Sequence, residues 1–189
     1  SSEGPHLHFE VRDTKSEMPI DPQLFGFPVK DFIRPAITAA LIYPEGECST
    51  INGNNIPLEL EIAGWGPVHR LRNQDTIHSA GSFSFGLGCY DLLNGSRNKN
   101  GISRYAVYID SVLKFDWQAE TFSFNETRYI NSFIDYGQYY NTGKRFITTR
   151  IAPNNKLSMY KTAINHGIFT AIPDSIHHIK IVVSDAGKI

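Results

Sequence analysis

Ser103-Arg104-Tyr105-Ala106-Val107-Tyr108-Ile109-Asp110-Ser111-Val112-Leu113-Lys114-Phe115-Asp116-Trp117 reads as two short strands folded about Asp110. Side chains two residues apart in a strand share a face. Tyr105, Val107 and Ile109 therefore line one side of the first run. The period of two predicts a hairpin, Ser103 to Ile109 against Ser111 to Trp117.

The same texture extends outward. Ala36 to Tyr43 is a predicted strand, stopped by Pro44-Glu45-Gly46. Asn52-Gly53-Asn54-Asn55 is a turn, and Leu58 to Ala63 alternates, with Leu58, Leu60 and Ile62 facing a core. Ser82 to Tyr90 puts Phe83 and Phe85 on one face. Arg145 to Arg150, Phe169 to Ile172 and His177 to Ser184 complete the series. Seven or more short strands separated by turns predict a mainly β chain, with an immunoglobulin-like antiparallel β-sandwich over residues 36–189. His177 to Gly187 looks like a penultimate strand and its turn, whose pairing strand would begin at Lys188.

Helix is expected only over Glu126 to Ile134. Ser123 and Glu126 have capping-box spacing, and Tyr129, Ile130, Phe133 and Ile134 recur at helical intervals. Asp135 to Asn141 is expected to be irregular. The rings of Tyr136, Tyr139 and Tyr140 are expected to fill or cover the sandwich core, the alternative being a glycan- or peptide-binding surface.

Composition narrows the function. Among 189 residues, 18 Lys and Arg face 19 Asp and Glu, so no basic field recommends nucleic acid as a partner. No apolar run approaches the length of a membrane span. Cys48 and Cys89 lack metal-type spacing. They could form one disulfide, worth about 3–4 kcal/mol in the chain-entropy model. Two thiols packed as small hydrophobes is the preferred reading.

The chemistry-bearing stretch is Gly4-Pro5-His6-Leu7-His8-Phe9-Glu10-Val11-Arg12. As a strand it puts His6, His8 and Glu10 on one face, about 6.5–7 Å apart, over an apolar back of Leu7, Phe9 and Val11. One imidazole at that spacing can hold a metal while the other addresses the substrate.

Together with Ile20-Asp21-Pro22, this run resembles the C-terminal signature of lysostaphin/LytM-type zinc endopeptidases, which cut peptide cross-links in bacterial cell walls. The family pattern is a Gly-x-His-Leu-His-Phe-Glu-like strand, a variable turn (here Asp13 to Pro19) and a closing segment (Ile20 to Leu24). The resemblance implies that His8 is a zinc ligand and that His6 is the catalytic histidine assisting the attacking water or the developing oxyanion. Glu10 would be supporting or structural. Zinc with three protein ligands keeps a position open for water and polarises a carbonyl, while a histidine beside it can move a proton at neutral pH.

The family's other ligands come from an upstream His-x3-Asp motif. His69, His78, His166, His177 and His178 all lie downstream of the signature, and none has that spacing. Residues 1–27 are therefore expected to be the C-terminal fragment of a catalytic domain, residues 28–35 a linker and residues 36–189 an accessory domain. The latter resembles the β-rich domain of Bacteroidetes-type relatives at Glu126-Thr127-Arg128-Tyr129-Ile130-Asn131, Ile134-Asp135-Tyr136 and Pro153-Asn154-Asn155-Lys156-Leu157. The resemblance implies Zn2+ as cofactor in the intact parent, a peptidoglycan peptide as partner, and a periplasmic or cell-surface location. The competing reading is a non-catalytic envelope-binding protein with a degenerate peptidase-like part.

Overall fold

A computed structural model describes residues 9–26, 31–72, 76–121 and 123–185. The chain opens with β1 (Val11–Arg12) and β2 (Pro19–Ile20), then runs through β3 (Ala36–Ile51), β4 (Leu58–Leu60), β5 (Ile62–Trp65), β6 (Val68–Leu71) and β7 (Ser79–Leu92). Next are β8 (Lys99–Asn100), β9 (Arg104–Ile109), β10 (Val112–Gln118), α1 (Thr127–Ile130) and α2 (Tyr136–Thr142). Last come β11 (Ile147–Thr148), β12 (Tyr160–Ala163), β13 (Phe169–Thr170) and β14 (Ile179–Ser184). Every strand pairing among the described residues is antiparallel. No helix among them is long and apolar enough to cross a membrane.

The hairpin about Asp110 forms as its alternation dictates, with Val112 opposite Ile109 and Trp117 opposite Tyr105. Asp110 and Ser111 both have positive φ, 50° and 66°. That is the backbone a two-residue turn needs to follow the twist of its strands. The hairpin lies inside a four-stranded sheet ordered β12-β10-β9-β14.

A second sheet, ordered β11-β7-β3-β4, packs against it, with β8 and β13 added to β7. One core joins the two, with Phe83, Phe85 and Leu87 on one side and Tyr105, Val107, Phe115 and Trp117 on the other. Phe83, Phe85 and Phe169 form a ring cluster with centroids 5.5–5.9 Å apart, and Trp117 stacks on Phe133 at 4.4 Å. Such ring pairs add about 0.5–1.5 kcal/mol each beyond the area they bury. The antiparallel sandwich expected from the strand pattern is present, and Leu60, with Leu58 and Ile62 beside it, faces the core as expected.

Three expectations are corrected. Pro44-Glu45-Gly46 does not stop the strand, since β3 continues to Ile51. Beyond Ile42 the β4 side of β3 is no longer paired, where a missing N–H is tolerated. A register shift between Glu45 and Thr50, with Gly46 at φ 92°, absorbs the extra residues. Asp135 to Asn141 is not irregular either. Asp135 accepts the Gln138 N–H at 3.0 Å as an N-cap, α2 comes next, and Gly143 ends it at φ 70°. Helical structure thus extends past Ile134, whereas α1 itself stops at Ile130.

The thiols are both free, but the expectation that both pack as small buried hydrophobes fails at Cys48, which is exposed, while Cys89 is half-buried. Burial pushes the Cys89 thiol up to about 12, and only a thiolate reacts readily. A disulfide-exchange reagent at pH 8 should label Cys48 first and Cys89 only on unfolding. Equal labelling rates in the native protein would contradict this packing.

Candidate functional site

The two histidines singled out by sequence, His6 and His8, lie outside the described residues. Gly4, Pro5 and Leu7 lie outside them too. Of the run that carries the resemblance, Phe9 to Arg12 and Ile20-Asp21-Pro22 are described, and Phe9, expected in the apolar back, is exposed. Val11 pairs with Ile20 and Arg12 with Pro19, so the strand and the closing segment sit side by side. Asp13 organises the turn between them, its Oδ1 accepting the N–H groups of Ser16 (2.8 Å) and Lys15 (3.1 Å). These bonds, Ser16's first, hold the Asp13 carboxyl below the usual range. Glu10 accepts from the Arg12 Nε at 2.8 Å, a structural partnership on the face the histidines were expected to share.

The hairpin is seated on the sandwich. The Asp21 N–H donates to the Glu120 carbonyl (3.2 Å), and the Thr121 hydroxyl donates to the Pro19 carbonyl (2.7 Å). The Arg12 guanidinium lies 5.3 Å from the Phe124 ring centroid. Asp21 then accepts the Gln23 N–H at 2.9 Å and opens a short 3-10 turn, Pro22–Phe25, which Gly26 closes in the left-handed region.

Between hairpin and sandwich is a cavity of about 290 Å³ lined by Asp21, Gln23, Asp31, Asp91, Asn100 and Asp185, among others. Carboxylate oxygens of Asp31, Asp91 and Asp185 lie within 4.8 Å of one another, with Asp91 and Asp185 buried. Asp91 comes from β7, and Asp185 lies just past β14. Asp31 turns the chain by accepting the Ile33 N–H at 3.0 Å. Sequence reading missed this trio because no local spacing marks residues brought together from three separate segments. Its donors are all oxygen, a set suited to Ca2+ or Mg2+ and unlike the His/Cys ligands zinc favours.

The tyrosines depart from the core position expected of them. Tyr136 is 68 % and Tyr140 79 % exposed on α2, with ring centroids 6.5 Å apart and planes 29° from parallel. Tyr139, also exposed, lies under the Arg145 guanidinium at 5.1 Å. At helical spacing, residues three and four apart fall on one side. Here the buried Phe133 and Phe146 flanking the helix fill the interior instead.

His177 and His178 precede β14, as expected of a strand start. His177 Nδ1 meets Asp110 Oδ2 at 2.6 Å, and Asp110 Oδ1 accepts the His178 N–H at 2.8 Å. The His177 contact is the larger cause holding the Asp110 carboxyl below its ordinary 3.8, with the His178 N–H next. A lowered folded value means stability that is fully present above about pH 4 and lost as pH falls through the folded value. Asp110→Asn should flatten that acid limb in pH-dependent unfolding, and an unchanged limb would mean that the clasp contributes nothing.

No protein-family model matches the chain, and neither a curated protein nor a solved structure does.

Proposed function

We propose that this chain is part of a zinc metalloendopeptidase of the bacterial cell envelope, the end of its catalytic domain followed by an accessory β-sandwich, acting outside the cytoplasm on peptide bonds of peptidoglycan cross-links. The observation that carries the reading is the ordered run from Gly4 to Arg12, with His6 and His8 two residues apart, and then Ile20-Asp21-Pro22. The pairing of Val11–Arg12 with Pro19–Ile20 supports it, because the strand and closing segment of the signature then form one hairpin.

On this reading His8 binds zinc and His6 stands beside the metal. Zinc, when bound, supplies Lewis-acid polarisation of the scissile carbonyl and a more acidic water. His6 would hold or pass a proton near neutral pH. The remaining ligands would come from a His-x3-Asp motif upstream of Ser1. The second reading, an envelope-binding module without catalysis, draws support from the exposed rings of Tyr136 and Tyr140.

One experiment separates the two. A longer protein containing this sequence should carry His-x3-Asp upstream, retain one zinc after dialysis against a mild chelator, and hydrolyse purified peptidoglycan. The 189-residue chain alone should do neither, since a catalytic zinc needs three protein ligands. Lack of zinc and hydrolysis in the longer protein would leave the binding module as the reading. Stoichiometric zinc in the short chain would overturn the division of ligands.

A further inference from the structure

We draw no further inference here: the strongest candidate, the cavity between the N-terminal hairpin and the sandwich where Asp31, Asp91 and Asp185 converge, is a cluster of acidic side chains with no second observation in the structure to say what it would hold.

Discussion

Under the proposed function, replacing His8 by Ala in a longer protein containing this sequence is expected to abolish both zinc retention and peptidoglycan hydrolysis. Replacing His6 by Ala should leave most of the zinc in place and lower the rate by about 10²- to 10⁴-fold, the usual worth of a general acid or base. The asymmetry is the test. A ligand contributes to metal affinity directly, whereas a proton-handling group beside the metal acts on the reaction. Zinc content by elemental analysis and single-turnover hydrolysis, measured on the same preparations, separate the two roles. Equal zinc loss in both variants would show that the roles are wrongly divided between His6 and His8. Full activity in the His8 variant would remove zinc from the mechanism.

The second large effect is on stability. Gly167 has φ 73°, and a Cβ placed there would lie 1.8 Å from the Thr149 carbonyl oxygen and 3.3 Å from Phe115 Cδ2. Neither neighbour can retreat cheaply. Thr149 is fully buried, its N–H donates to the Phe85 carbonyl at 2.8 Å, and its hydroxyl donates to the Gly167 carbonyl at 2.8 Å. Phe115 is also fully buried. Gly167→Ala should therefore cost more than about 3 kcal/mol, comparable to truncating a large core side chain. Gly95 has nearly the same φ, 77°, but open space around its Cβ direction. Gly95→Ala should cost only the left-handed backbone penalty, about 1–2 kcal/mol. Denaturant midpoints of the two variants measure the difference. Similar losses at both positions would mean that the close approach of Gly167 to Thr149 contributes nothing.

The elements legible in the sequence are those whose cause is local. Alternation marked Tyr105, Val107 and Ile109 and placed Phe83 and Phe85 on one face. A strand's period of two is written in consecutive residues whatever it packs against. The N-cap of α2 was also present in the sequence, as Asp135 three residues before Gln138, but the aromatic run after it obscured a helix of only two turns. Short helices draw their stability from packing and caps more than from propensity. Here Asp135 and Gly143 supply the caps.

The features that sequence could not provide are those made by distant segments meeting. Pro44 looked like a strand end because local chemistry says so. It is tolerated because β4 has already left that side of β3. Ala39, Leu41 and Tyr43 form a small second core with Phe146, so β3 is buried on both faces. Its unbroken apolar run carries no sign of what would cover the second face. Tyr136 and Tyr140 could equally have been core residues by composition, and only the position of α2 turns them to solvent.

The sequence by itself determined the β architecture and the hairpin about Asp110, because each depends on neighbours along the chain. The tertiary structure alone decided the seating of the N-terminal hairpin against Glu120 and Thr121, the convergence of Asp31, Asp91 and Asp185, and the exposure of the tyrosines. These depend on which surfaces the packed sheets bring together, and that information is spread over the whole chain.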